Sequence, residues 1–210
     1  MEGILEANEY VNLTAITDPE EFEVKHIIDS LACVDFPEYQ SAKKIIDVGT
    51  GAGFPGIPLA VNSPDKEFVL MDSLQKRLKI IDDLTGKIGI ANVKTVHARA
   101  EELAKDKAHR EAYDLSVSRA VANLATLSEY CLPFIKVGGY LLAYKGPEAD
   151  EEVVAAKKAI EILGGKVKEI RPVEMEKYGI NHKIVIIEKI KETPAKYPRK
   201  AGTPQKEPIR

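Results

Sequence analysis

Three glycines alternate with other residues directly after a short apolar segment, and this arrangement restricts the fold more than any other part of the chain. The segment is residues 44–48, and the glycines are Gly49, Gly51 and Gly53. A helical stretch follows near Pro55. An apolar strand that ends on glycines before a helix brings bare backbone N–H groups next to a ligand. The segment therefore predicts an α/β protein that binds a ligand at the end of its first strand.

Two acidic residues make this interpretation more specific. Asp47 lies two residues before the first glycine, where strands that bind dinucleotides usually carry an apolar residue. Asp72 ends the next apolar segment, residues 68–72, about twenty residues downstream of the glycines. An acid at that place is suited to hold the ribose hydroxyls of an adenosine. Asp47 either offsets a positive charge on the ligand or orients the loop by accepting hydrogen bonds from it.

The pattern resembles motifs I and II of the S-adenosyl-L-methionine-dependent methyltransferases. That cofactor has no pyrophosphate, so the loop has to seat only a compact, zwitterionic amino-acid tail. A NAD-type oxidoreductase is the main alternative, because residues 51–56 read G-x-G-x-x-G. This match begins two residues late, however, and Pro55 lacks the N–H group that an anion site would use. A turn that binds no ligand is a further alternative.

Apolar segments of strand length alternate with helical patterns along the chain. This alternation predicts a doubly wound, largely parallel sheet that binds ligands at the carboxyl ends of its strands. Residues 166–171 and 182–189 predict a terminal hairpin, which makes the last strand antiparallel. The expected fold class is α/β, with a Rossmann-like, seven-stranded class I methyltransferase sheet. The other strands are expected at residues 44–48, 67–72, 93–97, 113–118 and 140–145.

Local signals predict where several elements begin. Asp18 followed by Pro19 predicts a helix start with Asp18 as the N-cap. Leu74 is expected to face inward from the helix that follows the second strand. Gly138 and Gly139 are expected to form a turn before the fifth strand.

The charge distribution separates the body of the chain from its end. The 210 residues carry a formal net charge of −3. Residues 191–210 hold six basic and two acidic side chains, so the remaining residues are at −7. A basic end punctuated by prolines is typical of a phosphate-binding arm or of a solvated, disordered end. We expect a methyltransferase domain over residues 1–190 and a basic, proline-rich tail over residues 191–210.

The composition predicts the cellular compartment, the state of the cysteines and the lack of a metal site. The chain has no apolar segment of about eighteen residues and no secretory signal pattern, so the cytoplasm is the expected compartment. Cys33 and Cys131 lie in helical apolar patterns and are expected to be buried free thiols. The four histidines show no metal-ligand spacing, so no metal site is expected.

With these residues in view, the chain resembles the glucose-inhibited division protein B family, the bacterial 16S ribosomal RNA guanine-N7 methyltransferases. The resemblance covers nearly the whole chain and is carried by residues 12–16, 26–31, 47–58, 72–73, 99–101, 118–120, 145–146 and 193–204. The family normally begins with a further N-terminal helical segment. The short N-terminus therefore leaves an RNA-binding module without activity as an alternative.

The resemblance implies cofactor-binding residues at the carboxyl ends of the strands. Asp72 is expected to face the ribose, and Ala100 and Glu101 are expected to border the adenine. Arg119, which follows the fourth strand, is the expected catalytic residue that orients the base or the cofactor. The implied cofactor set is Gly49, Gly51, Gly53, Phe54, Asp72, Ala100, Glu101 and Arg119. The expected RNA-binding residues are His26, Asp29, Lys145, Arg199 and Lys200.

The implied reaction moves a methyl group from S-adenosyl-L-methionine to N7 of a guanine. N7 has an in-plane lone pair and no proton, so the reaction needs alignment and no general base. The target guanine is expected in a loop or flipped out, because A-form major grooves exclude side chains. The expected partner is 16S ribosomal RNA or the small ribosomal subunit, with no membrane or metal partner and a monomeric protein. A small-molecule methyltransferase is the remaining alternative, in which the basic tail would have no purpose.

Overall fold

A mixed sheet of seven strands forms the centre of the protein. The structure is a computed structural model that describes residues 2–8, 10–11, 13–175 and 178–210. The strands are β1 (Lys44–Val48), β2 (Glu67–Asp72), β3 (Val93–His97), β4 (Tyr113–Arg119), β5 (Ile135–Lys145), β6 (Gly165–Met175) and β7 (Ile180–Lys189). The α-helices are α1 (Glu2–Asn8), α2 (Pro19–Phe22), α3 (Pro37–Ser41), α4 (Gly56–Asn62), α5 (Gln75–Lys87), α6 (Ala100–Leu103), α7 (Leu124–Cys131), α8 (Ala149–Ile162) and α9 (Thr203–Lys206). A π-helical turn covers Glu23–Ile28, and 3₁₀ turns cover Leu31–Cys33 and Leu132–Phe134.

The strands lie in the order β3-β2-β1-β4-β5-β7-β6. Strands β1 to β5 pair in parallel, whereas β7 is antiparallel to both β5 and β6. The predicted fold class, with its antiparallel terminal strand, is confirmed. Strand β1 lies between β2 and β4, where the strand order reverses. Ligands of doubly wound sheets bind at this switch point, beyond the carboxyl ends of the strands.

Apolar layers cover both faces of the sheet. On β1, Ile46 belongs to an apolar cluster that includes residues of α7 and α8, whereas Ile45 belongs to the cluster that includes residues of α4 and α5. Consecutive strand side chains point to opposite faces, so a strand covered on both sides has a continuous apolar sequence. The same alternation directs Asp47 to the face that carries α4.

The cysteine prediction is confirmed, because Cys33 and Cys131 are both buried free thiols. Burial raises the pKa of each thiol to about 12. Within the described ranges, no helix combines the length and the apolar character needed to cross a membrane.

The predicted helix starts are right at one position and wrong at another. Asp18 caps α2, because its Oδ1 accepts a hydrogen bond from Glu21 N at 2.8 Å. Leu74 does not face inward. Helix α5 begins only at Gln75, so Leu74 precedes the amphipathic part of the helix. Leu74 is therefore 51% exposed.

Strand β5 is longer than the sequence indicates. It begins at Ile135 and runs through Gly138 and Gly139, where the sequence predicts a turn. The pairing register between β4 and β5 shifts near this point, between Tyr113 and Leu115. Gly138 has a φ angle of +88°, and a β-carbon on Gly139 would lie 2.5 Å from a backbone oxygen of β4. The expected turn is therefore an irregularity within the strand.

The C-terminal residues fold back onto α7. Thr126 Oγ1 donates a hydrogen bond to Pro204 O at 3.0 Å, and Arg199 forms an ion pair with Glu129 at 2.7 Å. These contacts hold residues 193–206 against the body of the protein. The predicted boundary between domain and tail stays a prediction.

Candidate active site

The loop after β1 has a backbone conformation that favours glycine. Gly49, Gly51 and Gly53 have φ angles of +74°, +60° and +96°. The N–H group of Gly49 donates to Met71 O on β2 at 3.0 Å, which ties the loop to the neighbouring strand. A β-carbon on Gly49 would lie 2.6 Å from the Val121 side chain. The absence of a side chain at residue 49 therefore allows Val121, in the segment after β4, to pack close to the loop.

Asp47 lies fully buried beneath this loop. Its Oδ2 accepts hydrogen bonds from Thr50 Oγ1 at 2.7 Å and from Gly56 N at 2.9 Å. Burial raises the pKa of Asp47 to about 6, and the hydrogen bonds from Thr50 and Gly56 oppose that shift. Of the two roles that the sequence leaves open for Asp47, these contacts support orientation of the loop.

The inner cavity, of about 190 Å³, opens at the ends of β1, β2 and β3. It is lined by Val48, Gly49, Met71, Asp72, Ser73, Ala98, Arg99, Ala100, Glu101, Val121, Ala122, Tyr130, Gly202 and Gln205. The Asp72 carboxylate accepts hydrogen bonds from Gly51 N at 3.0 Å and from Leu74 N at 2.8 Å. These contacts fix Asp72 at the wall of the inner cavity, where Ala100 and Glu101 also lie.

Two further cavities continue along the same edge of the sheet. The loop cavity, of about 370 Å³, is lined by Leu13, Lys25, His26, Asp29, Gly49, Thr50, Gly51, Ala52, Phe54, Arg77, Arg119 and Ala120. The outer cavity, of about 470 Å³, is lined by Lys25, Asp29, Arg119, Ala120, Tyr144, Lys145, Gly146, Glu152, Gly179, Asn181 and His182. Gly49 borders the inner and loop cavities, and Arg119 borders the loop and outer cavities. The three cavities are therefore neighbours in a row.

Arg119 is held in place at the end of β4 by several partners. Its Nη1 donates to Asp29 Oδ2 at 2.6 Å and to Lys25 O at 3.0 Å. Its Nη2 donates to His26 Nδ1 at 3.1 Å. The guanidinium carbon also lies 5.5 Å from the centroid of the Phe54 ring. Because the side chain is bound at both terminal nitrogens, its position between the two larger cavities is well determined.

His26 is the neutral partner of this arginine. Arginine can only donate, so His26 Nδ1 is the acceptor, and Nε2–H donates to Thr14 Oγ1 at 2.7 Å. The imidazole stacks on Phe54 at a centroid distance of 4.6 Å and an interplanar angle of 9°. Burial, together with the positive charge of Arg119, lowers the pKa of His26 from 6.5 to about 4. His26 therefore stays neutral at physiological pH.

We expect the free energy of unfolding to fall as the pH is lowered through the range from 6.5 to about 4. In that range His26 takes up a proton in the unfolded chain but not in the folded protein, so protonation favours unfolding. Urea unfolding at about pH 7 and about pH 5 measures this loss. A His26→Gln variant should lose less stability between the two pH values, whereas His97→Gln, at an exposed histidine, should behave like the wild type. Equal losses in all three proteins would contradict the assignment.

The remaining predicted cofactor residues differ in position. Phe54 borders the loop cavity, and its contact with the cofactor stays a prediction. A β-carbon on Gly53 would instead lie 2.3 Å from the Ile57 side chain, so this glycine allows close packing with α4. A direct role of Gly53 in cofactor binding stays a prediction.

The predicted RNA-binding cations are not equally available. Lys145 Nζ donates to Ala122 O at 2.6 Å and to Glu152 Oε2 at 2.8 Å, which holds the segment after β4. Arg199 is engaged by Glu129, whereas Lys200 is exposed. Phosphate contacts by all three residues stay predictions, and Lys145 and Arg199 would have to leave these partners to make them.

Several residues of the site are missed by the sequence analysis. His182 Nδ1 lies 3.2 Å from Asp29 Oδ1 at the outer cavity, and burial lowers the pKa of His182. Gly202 and Gln205 reach the inner cavity from the C-terminal segment. Gly202 lies in a segment that carries the family resemblance, but no local pattern places any of these residues at the site, because each is brought there by an element distant in sequence. Thr14 belongs to residues 12–16, one of the segments that carry the family resemblance. Its hydrogen bond with His26, however, also depends on the packing of separate elements.

Solved methyltransferase structures share the fold. A structure of M. jannaschii TYW2 in complex with AdoMet has a TM-score of 0.61 and 17% identity, and the match covers 86% of this chain and 80% of that one. A SAM-dependent O-methyltransferase from Thermotoga maritima has a TM-score of 0.59 and 14% identity, with coverage of 90% and 72%. At these identities the similarity concerns the fold alone.

Sequence comparisons identify the family. The Ribosomal RNA small subunit methyltransferase G of Clostridium novyi (strain NT) is 58% identical over 202 residues, which cover 96% of this chain and 83% of the relative. The protein of the same name from Clostridium tetani (strain Massachusetts / E88) is 51% identical over 207 residues, with coverage of 99% and 87%. The family model described as GidB, rRNA small subunit methyltransferase G, matches residues 1–181. The chain therefore belongs to the GidB family of rRNA small subunit methyltransferases.

Proposed function

We propose that this protein transfers a methyl group from S-adenosyl-L-methionine to N7 of a guanine in 16S ribosomal RNA. The observation that carries the proposal is the guanidinium of Arg119, held by Asp29 and His26 between the loop cavity and the outer cavity. The names of the relatives supply the substrate class. In this proposal the protein acts as a cytoplasmic monomer on the RNA or on the small ribosomal subunit.

The inner and loop cavities suit the two ends of the cofactor. Gly49 lines both cavities, and the lack of a side chain there lets Val121 pack close to the loop. Asp72 would hold the ribose hydroxyls, and Ala100 with Glu101 would border the adenine in the inner cavity. The loop cavity, beside Gly51 and Phe54, would receive the amino-acid end. When bound, the cofactor supplies a methyl group on a positively charged sulfur.

The protein groups then position the reactants. The N7 lone pair forms the new bond to the methyl carbon as the carbon–sulfur bond breaks, so no protein group has to accept a proton. Arg119 has five N–H groups, of which three donate hydrogen bonds to the part of the chain that the structure describes, so two would be offered to the purine. The Asp29 carboxylate lies beside it and would offset the positive charge that methylation leaves on the base.

The outer cavity would receive the target base. At about 470 Å³ it is the largest of the three, and it lies on the far side of Arg119 from the glycine loop. A base can enter it only when it is unpaired or flipped out of the helix. Lys25 borders both the loop and outer cavities and forms an exposed ion pair with Glu21. Because an exposed pair of this kind contributes little, Lys25 is suited to contact the RNA backbone instead. Asp29 would act on the base side and Lys200 on the RNA backbone. His26 would act through Arg119, because it lines the loop cavity and both of its ring nitrogens are engaged, whereas Lys145 and Arg199 would keep their partners within the protein.

The alternatives are less well supported. A NAD-type oxidoreductase finds no support in the family match, which describes a methyltransferase. An RNA-binding module without activity would not need an arginine fixed between two cavities at the end of β4. Small-molecule methylation is disfavoured by the names of the relatives, which specify ribosomal RNA.

Replacing Arg119 with alanine tests the proposal. We expect the rate of methyl transfer to small ribosomal subunits to fall on the order of a hundredfold, because the base and the methyl group lose their alignment. The affinity for S-adenosylhomocysteine should change much less. Transfer of a labelled methyl group measures the rate, and mass mapping of the RNA identifies the modified guanine.

Arg171→Ala is the matched control. Arg171 is also a partly buried arginine held by carboxylates, those of Glu38 and Glu169, but it borders none of the three cavities. Its variant should keep the wild-type rate. Full activity of Arg119→Ala would remove this residue from the reaction, and modification at an atom other than guanine N7 would refute the proposed product.

A further inference from the structure

The C-terminal segment, residues 193–206, is fastened to the body beside the inner cavity. Arg199 donates hydrogen bonds to the buried Glu129 carboxylate on α7 from its Nε and Nη2 atoms, at 2.7–3.1 Å. Further along, Thr126 Oγ1 donates to Pro204 O, and Pro204 itself is buried. The segment therefore has two anchors on the same helix, one on each side of Gly202.

The segment reaches the wall of the inner cavity at two residues, Gly202 between the anchors and Gln205 just after the second anchor. Gly202 N donates to Glu101 Oε1 at 2.8 Å, and Glu101 is only 4% exposed. Gly202 has a φ angle of +82° and begins the short helix α9. The chain reversal places both Gly202 and Gln205 in the lining of the inner cavity. The C-terminal segment thus forms a wall of the cavity that also contains Asp72 and Ala100.

We propose that Gln205 is a specificity-determining residue for the cofactor and that its side-chain amide hydrogen-bonds the edge of the adenine that carries the 6-amino group. This inference rests on the proposed cofactor. A glutamine amide offers one acceptor and two donors, which match the amino group and the adjacent ring nitrogen of adenine. Gln205 is exposed and the segment is anchored at Arg199 and Pro204, so the amide can turn toward a base without moving the backbone.

Glu101 has a related, supporting role. One of its carboxylate oxygens is occupied by Gly202 N, so the carboxylate joins α6 to the C-terminal segment. The segment, which the sequence assigns to phosphate binding or to solvent, therefore contributes to the cofactor site. A free arm would offer no fixed group to a purine, whereas an anchored one can recognise its edge.

Calorimetric titration with two ligands tests the proposal. The first is S-adenosylhomocysteine, and the second is the analogue in which hydrogen replaces the 6-amino group of the purine. We expect wild-type protein to prefer the first ligand. Gln205→Ala should bind S-adenosylhomocysteine on the order of tenfold more weakly and should lose most of that preference. If Gln205 had only a structural role, the substitution would weaken the binding of both ligands equally and leave the preference intact.

Lys206→Ala is the matched control, because Lys206 is exposed on the same short helix and does not line the inner cavity. It should keep both the affinity and the preference of the wild type. If wild-type protein binds S-adenosylhomocysteine and Gln205→Ala keeps the same preference, the role of Gln205 is overturned while the proposed function stands. If wild-type protein binds neither ligand, the proposed cofactor fails as well.

Discussion

A protein in which valine replaces Gly49 is expected to show no binding of S-adenosylhomocysteine that calorimetry can measure. The β-carbon alone would lie 2.6 Å from the Val121 side chain, and both residues line the inner cavity, so a valine at residue 49 would force a shift in the wall of that cavity. The φ angle of +74° adds backbone strain of about 1–2 kcal/mol for a residue with a side chain. The steric block, more than the strain, should remove binding.

Gly138→Val separates these two causes. Gly138 has a φ angle of +88°, but a β-carbon there would meet no atom of the described residues within 4 Å. This variant therefore carries the strain without blocking a cavity, and it should bind the ligand like the wild type. Circular dichroism should show both variants folded. Unchanged affinity in Gly49→Val would place the ligand away from the glycine loop.

Replacing Arg199 with alanine is expected to lower the free energy of unfolding by about 3 kcal/mol. Glu129 is fully buried, and Arg199 supplies its ion-pair partner at 2.7 Å. In the wild type, Arg199 donates to the Glu129 carboxylate from its guanidinium and from its backbone N–H. The alanine variant keeps the backbone hydrogen bond and loses those of the guanidinium. An unpaired buried charge costs much more than the pair contributes. Urea unfolding near neutral pH measures the loss.

Two controls isolate the buried charge. The double variant Arg199→Ala with Glu129→Gln should be more stable than Arg199→Ala alone, because no charge remains unpaired in the interior. Lys200→Ala removes a neighbouring exposed cation and should change stability by no more than about 0.5 kcal/mol. A loss of that small size in Arg199→Ala would mean that the C-terminal segment detaches in solution and exposes Glu129 to water.

The parts of the site that could be predicted are those built by neighbours in sequence. Gly49 follows β1 and Asp72 ends the paired strand β2, and parallel strands bring their carboxyl ends to one edge of the sheet. Ala100 and Glu101 follow the next strand by the same rule. Periodicity and glycine positions therefore predict the inner cavity, because the topology of an α/β sheet leaves few other places for these residues.

The predictions were weakest where a side chain has two possible environments. Leu74 suits a helical face by spacing but precedes the helix and stays exposed. Gly138 and Gly139 suit a turn but lie in a continuous strand with a shifted register. A single sequence window contains the intrinsic preference of a residue and not the neighbours that override it.

The sequence alone determined the fold class, the glycine loop after β1 and the acid that ends β2, because these depend on local patterns and on the handedness of α/β units. Only tertiary packing decided which side chains meet. It joined Arg119 to Asp29 and His26, set Asp47 beneath the loop, and brought the C-terminal segment to Glu101. Such contacts join residues far apart along the chain, and they form only after burial of the two apolar layers has set the positions of the strands and helices.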